Sequence, residues 1–258
     1  MRFFYYIKFK IFTIKRHILF IIKKYNANIK RKKVNIINEL SLKDNQIISK
    51  DDNFEKLMMI YTLALAEVKK NILELQQKLN GKNNYDTITS ISTRIKEPKS
   101  IIDKMNKKGY SLTYKDLIEN INDIAGLRIV CTSEKAVYEI AKEISNIKNM
   151  NVIKKKDYIK RPKKSGYSAY HIIVEVPVII QENQIWVKVE IQIRTLAMDF
   201  WANIEHKLKY KNLNKISHQN SSKLKMYAKI LQIINKKMEK IYRNNYKYIE
   251  NWVLLQYN

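Results

Sequence analysis

The segment WVKVEIQIR, residues 186–194, alternates apolar and polar side chains over its whole length. Successive side chains of a β-strand point to opposite faces of the sheet, so a strand built from this segment is apolar on one face only. The apolar face would carry Val187, Val189, Ile191 and Ile193, and the polar face Lys188, Glu190, Gln192 and Arg194. Such a polar row belongs either to a half-exposed sheet edge or to a functional site, and this segment alone leaves both interpretations open.

A second acid stands next to a second buried strand. Asp123 immediately precedes the apolar run of NDIAGLRIV, residues 122–130, and Arg128 points outward from that strand. Magnesium takes oxygen ligands, and proteins usually hold it with one or two carboxylates together with substrate phosphates. Two carboxylates on neighbouring strands, Asp123 and Glu190, therefore favour a functional site with bound Mg²⁺ over a plain sheet edge.

Basic and aromatic side chains accompany these acids. Arg94 and Lys96 precede a helix that begins at Pro98, and a helix N-terminus with lysines is an anion site. Further groups of this region are Lys99, Ser100, Lys104 and Lys107. The segment DYIKRPKKSGYSAYH, residues 157–171, adds Lys163, Tyr167 and His171. Stacking on an aromatic ring contributes about 1 to 3 kcal/mol per base, so Tyr167 is a candidate platform for a nucleobase.

Charge constrains the partners of the chain. Its 258 residues hold 50 Lys and Arg against 24 Asp and Glu, a formal net charge of +26. This surplus favours a polyanionic partner: nucleic acid, nucleotide phosphates or an anionic membrane surface. AT-rich coding would also enrich Lys together with Ile, Asn and Tyr without any partner, and composition leaves that alternative open. Cys131 is the single cysteine, which excludes a disulfide within the chain and favours a reducing, cytoplasmic compartment.

The pattern along the chain predicts three parts. Residues 1–45 form a basic extension whose apolar runs are interrupted by lysines far short of the roughly 18 residues that a spanning helix needs. This extension either contacts an anionic surface, a membrane or RNA, or reflects a translation start that was assigned too early. Residues 46–212 form a predicted catalytic domain, and residues 213–258 form a helical packing or oligomerisation segment.

The hydrophobic periodicity predicts an α+β fold, a mixed sheet flanked by helices, with long N- and C-terminal helices. A helix from Phe54 would end near Asn80-Gly81, where a C-terminal cap is expected. The other predicted helices cover residues 98–109, 134–147, 196–210 and a C-terminal seam of Leu224, Tyr227, Leu231, Ile234, Met238 and Ile241. The predicted strands are residues 127–131, 151–159, 169–180 and 184–194, the last two joined as a hairpin. The pattern leaves open whether the long helices pack on each other or on neighbouring subunits.

Four motifs in this order resemble the small alarmone synthetases, the synthetase-only branch of the RelA/SpoT superfamily of GTP pyrophosphokinases. They are RIKEPKSIIDK (residues 94–104), DIAGLRIVC (123–131), DYIKRPKKSGYSAYH (157–171) and VEIQIRTLAMDFWANIEHKLKYK (189–211). The resemblance implies a nucleotidyltransferase-like mixed sheet and a homotetramer. It also implies stringent-response signalling by transfer of the β,γ-pyrophosphate of ATP to the 3′-hydroxyl of GDP or GTP, with ppGpp or pppGpp and AMP as products.

The resemblance implies a role for each matching residue. Asp123 would coordinate Mg²⁺, and Glu190 would share that metal or accept the proton of the attacking hydroxyl. Arg94 and Arg128 would sandwich the adenine. The residues expected around the ATP phosphates are Lys96, Ser100, Lys104 and Lys107. The residues expected around GDP or GTP are Lys163, Tyr167 (stacked on guanine), His171, Gln192, Asp199 and Glu205.

Two further features limit the predicted function. Ser168 stands where relatives commonly have a basic residue, so the preference between GDP and GTP stays open. None of the four histidines is followed by Asp, so we expect a synthetase without the metal-dependent hydrolase activity of the superfamily. The alternative function is a basic protein that binds RNA or single strands on an inactive nucleotidyltransferase-like scaffold.

Overall fold

The structure, a computed structural model, describes residues 33–34, 52–82, 87–180, 183–211 and 218–256. The predicted extension, residues 1–45, lies outside the described residues except for 33–34. The helices are α1 (Asp52–Lys82), α2 (Pro98–Lys108), α3 (Tyr114–Asn120), α4 (Glu134–Ile144), α5 (Leu196–Lys211) and α6 (His218–Gln256). The strands are β1 (Lys33–Val34), β2 (Ile88–Ile95), β3 (Ala125–Cys131), β4 (Asn151–Asp157), β5 (Tyr170–Ile180) and β6 (Asn183–Thr195).

The strands form one mixed sheet with the order β2-β3-β6-β5-β4. The central strand β6 runs parallel to β3 and antiparallel to β5, and β2 and β4 pair antiparallel at the two sides. The short β1 pairs parallel with β6 at Gln184 and Ile185. The predicted β5–β6 hairpin is present, and the α+β fold with a mixed sheet between helices is confirmed.

The alternation in β6 determines which face of the sheet is buried. Val187, Val189 and Ile191 are almost fully buried, whereas Lys188 and Glu190 between them are partly exposed. The helices α1 and α4 pack against β3, β5 and β6 and share one hydrophobic core with their apolar side chains. The opposite face of the sheet therefore carries the polar row that the sequence predicts.

The long helix α1 covers the sheet with one stripe of apolar side chains. Leu57, Ala64, Val68 and Ile72 recur at helical spacing and are fully buried. The helix begins at Asp52 and continues through Gly81 to Lys82, so it ends slightly beyond the predicted cap.

The sequence patterns do not predict the strand β2 or the short helix α3. The strand β2, ITSISTRI, lies at a sheet edge and has few apolar side chains to alternate. The helix α3 spans only seven residues, too few for a full amphipathic repeat, and the Thr113 side chain caps it by accepting a hydrogen bond from the Asp116 backbone nitrogen. In addition, α4 ends at Ile144 and β4 ends at Asp157, earlier than the pattern predicts.

The predicted apolar seam of α6 splits between two faces of the helix. Leu224 and Leu231 pack against a small cluster on α5 and the turn before β5. Tyr227, Ile234 and Met238 are exposed on the neighbouring face. The seam therefore does not pack on α1 as a single row, because only one side of it faces the rest of the chain.

The burial of α1 gives a direct test of its orientation. Ile72 is fully buried, so Ile72→Ala is expected to lower the free energy of unfolding by about 2 to 5 kcal/mol through the cavity it leaves. The neighbouring Leu73 is 41% exposed, and Leu73→Ala is expected to lower it by about 0.5 kcal/mol or less. Chemical denaturation of both variants measures the difference. Equal losses would show that α1 presents another face to the sheet.

Candidate active site

Strand register brings side chains from five strands onto the face of the sheet opposite to α1. In one row, Glu190 of β6 pairs with Gly126 of β3 and with Ile173 of β5. The row continues to Arg94 on β2 and to Lys154 on β4. Directly paired residues share a face of the sheet, so Glu190 stands in the middle of this row.

A second row lies next to the first. Its members, from β2 to β4, are Ser92, Arg128, Gln192, His171 and Lys156. The two arginines predicted for adenine therefore lie on the β2–β3 side, and His171, predicted for the acceptor nucleotide, lies on the β5 side. The carboxylate of Glu190 is between them.

These rows form the floor of a cavity of about 680 Å³. The predicted site residues that line it are Arg94, Lys104, Asp123, Arg128, Lys163, Tyr167, His171, Glu190, Gln192 and Glu205. Ser100 and Lys107 are exposed on α2 and do not line the cavity. Lys108 lines it instead, because Lys104 and Lys108 are one helical turn apart on the same face of α2.

Asp123 is held by two lysines. Lys96 Nζ lies 2.6 Å from Asp123 Oδ2, and Lys104 Nζ lies 2.7 Å from Oδ1. Burial alone would raise the pKa of Asp123, but the hydrogen bonds from Lys104 and Lys96 outweigh it and hold the pKa below its ordinary value. Asp123 is therefore a charged carboxylate at neutral pH, with both oxygens engaged by ammonium groups.

Glu190 has hydrogen-bond donors on both oxygens as well. His171 Nδ1 lies 2.9 Å from Oε1, and Gln192 Nε2 donates to Oε2 at 2.6 Å. Burial would raise the pKa of Glu190, but His171 and then Gln192 lower it below its ordinary value. The charge of Asp123 acts in the opposite direction on the same pKa, so the two carboxylates are close enough to interact.

The donors of Glu190 belong to a closed circuit of hydrogen bonds. Tyr167 Oη lies 2.7 Å from His171 Nε2, and Arg194 Nη2 donates to Tyr167 Oη at 2.7 Å. The same Arg194 nitrogen donates to Gln192 Oε1 at 2.8 Å. A carboxylate only accepts hydrogen bonds, so His171 carries a proton on Nδ1. In a neutral His171 ring, Nε2 then accepts a hydrogen bond from the Tyr167 hydroxyl.

The Tyr167 ring is largely buried, although the sequence predicts that it stacks on guanine. It is 9% exposed, with Tyr158 and His171 against it in edge-on geometry. Lys163 Nζ lies 4.6 Å from the ring centroid and Arg194 Cζ lies 5.1 Å from it, both in cation–π range. Burial raises the pKa of the Tyr167 hydroxyl, which stays protonated. A base that stacks on this ring has to displace one of these cations, and Lys163 on the turn is the less buried of the two.

Asp199 forms ion pairs with two arginines of the cavity but does not itself line the cavity. Its Oδ1 lies 3.2 Å from Arg128 Nη1 and 3.1 Å from Arg194 Nη1, and Asn203 donates to its Oδ2 at 2.9 Å. Asp199 therefore orients Arg128 and Arg194. Glu205, also on α5, is buried and lines the cavity.

Several residues of the cavity receive no role from the sequence reasoning, although it already places Arg194 on the polar face of β6. They are Lys108, Lys154, Lys156, Arg194, Asn203 and His206. The alternation of a strand could have identified Lys154 and Lys156, because NVIKKKD is predicted as a strand and these two lysines lie on one face of it. Ser168 does not extend this lining, since its buried hydroxyl donates to the backbone oxygen of Tyr158 at 3.1 Å.

Comparison with known proteins decides the family. A family model described as a region found in RelA and SpoT proteins matches residues 93–215. The chain is 35% identical to GTP pyrophosphokinase YwaC of Bacillus subtilis over 187 aligned residues. The aligned region covers 72% of this chain and 89% of the relative. The chain belongs to the RelA/SpoT family. The resemblance that the four motifs indicate is confirmed.

Solved structures place this RelA/SpoT chain beside the small alarmone synthetases. The crystal structure of small alarmone synthetase 1 from Bacillus subtilis bound to its product pppGpp has a TM-score of 0.70 at 31% identity, covering 75% of this chain and 98% of that one. The same synthetase bound to AMPCPP gives a TM-score of 0.66 at 28% identity, with 76% and 100% covered. The similarity thus extends over almost the whole length of these relatives.

The described residues contain neither a membrane-spanning helix nor a cluster of metal ligands. Within these ranges, no helix combines the length and the apolar character that crossing a membrane requires. Over the same ranges, no group of three or more His, Cys, Asp and Glu side chains is arranged to hold a metal ion.

The pairing of Asp123 predicts a pH-dependent contribution to stability. Because its folded pKa is depressed, the stabilisation is present above pH 3.8, the ordinary value, and is lost as the pH falls through the folded pKa. Asp123→Asn is expected to lower the melting temperature at pH 7, and the difference from the wild type is expected to shrink below about pH 4. Thermal unfolding followed by circular dichroism measures both. Asp103→Asn, at an exposed acid of α2, is the control, and a gap that does not change with pH would contradict the ion pair.

Proposed function

We propose that this chain transfers the β,γ-pyrophosphate of ATP to the 3′-hydroxyl of GDP or GTP, giving ppGpp or pppGpp and AMP. The observation that carries the proposal is the placement of Asp123 and Glu190 on one cavity floor, between basic groups on the β2–β3 side and Tyr167 and His171 on the β5 side. The relatives support it, since they are GTP pyrophosphokinases and include structures with pppGpp and an ATP analogue bound.

The ATP half of the site lies at β2, β3 and α2. Arg94 and Arg128 come from adjacent strands in neighbouring rows, and planar guanidinium groups are suited to stack on adenine. Lys104 and Lys108 extend from α2 over the same half of the cavity. We assign the phosphates of ATP to these lysines and to Lys96, which bonds Asp123 beside them. Ser100 and Lys107 are not assigned to ATP, because neither lines the cavity.

The acceptor half lies at β4, β5 and the turn before β5. Lys163, Tyr167 and His171 are the predicted contacts of GDP or GTP there. Lys154 and Lys156 extend this half, and neither forms an ion pair with a carboxylate among the described residues. We assign them to the 5′-phosphates of the acceptor, because two unneutralised lysines on one strand face favour a phosphate group.

The donor set fits Mg²⁺. Asp123 and Glu190 offer carboxylate oxygens on one cavity floor, and magnesium is typically bound by one or two carboxylates with substrate phosphates completing its shell. When bound, the ion would neutralise charge on the transferred phosphates. The ammonium groups of Lys96 and Lys104 now engage both oxygens of Asp123, so we infer that these lysines turn to the phosphates when ATP enters.

The residues of the chain position the two nucleotides for in-line transfer. Glu190 has a lowered pKa, which makes it a weak proton acceptor and favours its role as a metal ligand over a role as general base. His171 forms a hydrogen bond to Glu190 through Nδ1 and to Tyr167 through Nε2, so it connects the proposed metal ligand to the proposed acceptor contact. In phosphoryl transfer such positioning accounts for most of the catalysis.

The activity and the metal ligands are tested together. We expect purified protein with Mg²⁺, γ-labelled ATP and GDP or GTP to place label in guanosine tetra- or pentaphosphate, separated by anion exchange. Asp123→Asn and Glu190→Gln are each expected to reduce turnover by at least about 100-fold, because each removes a carboxylate ligand of the ion that would neutralise the transferred phosphates. Glu175→Gln, on β5 outside the cavity lining, is the control and is expected to keep near-normal turnover.

The outcomes separate the proposals. Normal turnover in both acid variants would mean that the metal site lies elsewhere. Absence of transfer by the folded wild type would favour the alternative, a basic RNA-binding or single-strand-binding protein, whose affinity would fall steeply with salt. Contact of residues 1–45 with RNA or an anionic membrane stays a prediction, because all of these residues except 33–34 lie outside the described part of the chain. The cytoplasmic location also stays a prediction.

We also propose that the protein assembles as a homotetramer. Helix α6 exposes an apolar row of Tyr227, Ile230, Ile234, Met238 and Ile241, and α1 exposes Met59 and Leu63. Exposed apolar rows of this size on helices are typical of interfaces. A second copy of the same helix would cover the row on α6, since its spacing of three and four residues is that of a coiled-coil seam.

Light scattering tests the assembly. The wild type is expected to have the mass of four chains, and Ile234→Asp is expected to lower the mass because it places a charge in the apolar row. Lys236→Asp, on another exposed face of α6, is the control and is expected to leave the mass unchanged. A wild type with the mass of one chain would contradict the proposal.

A further inference from the structure

The turn that carries Tyr167 rests directly on helix α6. Gly166 has a φ of +96°, a conformation that favours glycine. A Cβ atom added to it would lie 2.8 Å from the Ala228 Cβ, 3.4 Å from the Lys225 Cα and 3.5 Å from Trp201 Cζ2. Glycine is therefore required at 166 for two reasons, its backbone angle and the closeness of α6.

The turn moves as one unit because hydrogen bonds close it. Gly166 N donates to Lys163 O at 2.8 Å, and Lys163 N donates to Tyr167 O at 3.0 Å. Tyr158 N donates to Ala169 O at 2.9 Å behind it. A displacement at Gly166 is thus transmitted to Lys163 and Tyr167, which both line the cavity.

A second hydrophobic cluster joins the turn to α6. It consists of Tyr167, Ala169, Trp201, Ala202 and Ala228, with Tyr158, Leu224 and Leu231 packed against it. The cluster is separate from the main core under the sheet, so the acceptor side of the cavity has its own packing support.

Helix α6 is fixed by polar contacts that do not involve the turn. Trp201 Nε1 on α5 donates to the Leu224 backbone oxygen at 2.9 Å. Further along, the Glu239 carboxylate accepts a hydrogen bond from the Glu134 backbone nitrogen at the N-terminus of α4, where a negative charge is favourable. Asn235 donates to the same carboxylate at 2.8 Å. The bonds from Trp201 and from the Glu134 backbone therefore tie α6 to α5 and to the N-terminus of α4.

We propose that Ala228 of α6 is a positioning residue of the acceptor site, because its contact with Gly166 sets where Lys163 and Tyr167 stand. The region matched by the RelA/SpoT model ends at residue 215, before α6 begins at His218, so this support comes from outside that region. The inference rests on the proposed role of Tyr167 in binding GDP or GTP.

The test enlarges the side chain at the contact. Ala228→Leu is expected to raise the KM for GDP or GTP about tenfold and to leave the KM for ATP within about twofold, since misplacement by about 1 Å is enough to lose binding geometry. Lys229→Leu, at the exposed neighbouring position, is the matched control and is expected to leave both KM values unchanged. A purely structural role would lower activity without separating the two KM values.

A second variant covers the case in which Ala228→Leu does not fold. Trp201→Phe keeps an aromatic ring in the cluster but removes the hydrogen bond to Leu224 O. It is expected to raise the acceptor KM about threefold, with a smaller change in the KM for ATP. Circular dichroism and light scattering of each variant establish that fold and mass are those of the wild type.

Tyr167→Ala, assayed in parallel, separates the two proposals. If it leaves the acceptor KM unchanged, the proposed role of Tyr167 is wrong. If it raises the acceptor KM while folded Ala228→Leu and Trp201→Phe do not, the positioning role of α6 is wrong. Selective increases of the acceptor KM in all three variants support both.

Discussion

The parallel pairing of β3 with β6 is the constraint on which the rest of the site depends. It sets Gly126 opposite Glu190 and Arg128 opposite Gln192, and it places Asp123, just before β3, near the middle of β6. A slip of one residue would turn valine and isoleucine side chains of β6 into the cavity and bury its polar row in the core. The apolar alternation of β6 therefore specifies the active site as well as the core.

Gly126 shows how closely this pairing and the site are linked. A Cβ atom there would lie 3.6 Å from the side chain of Arg94, which is an ordinary contact distance. The Arg94 side chain thus passes over a strand position without a side chain, in the same row as Glu190. The strand register, Gly126 and the long Arg94 side chain together determine the shape of the cavity on its β2–β3 side.

The cavity is basic, yet Asp123 in its lining and Asp199 beside it already form ion pairs. Lys96 and Lys104 neutralise Asp123, and Arg128 and Arg194 share Asp199. These internal pairs keep buried charges satisfied before any phosphate arrives. The cavity lysines that form no ion pair among the described residues include Lys108 on α2 and Lys154 and Lys156 on β4, and their charge favours the binding of phosphates.

Local sequence patterns predict the parts of this molecule that depend on local periodicity. The face of β6, the two carboxylates and the buried stripe of α1 follow from spacings of two and of three to four residues. What the patterns do not predict depends on tertiary contacts. The rotation of α2, which turns Lys108 rather than Lys107 to the cavity, is set by the packing of Ile101 and Met105 in the core. The enclosure of Tyr167 depends on α5 and α6, which are distant in sequence.

The closed hydrogen-bond circuit has a consequence for how the site can be dissected. Tyr167, His171, Gln192, Glu190 and Arg194 each give or take a hydrogen bond within it, so removing one member leaves a neighbour unsatisfied in a poorly solvated place. Free-energy changes of single substitutions will overlap rather than add, and double-mutant cycles will show strong coupling between groups assigned to different ligands. The proposed metal site and the proposed acceptor site are therefore expected to behave as one thermodynamic unit.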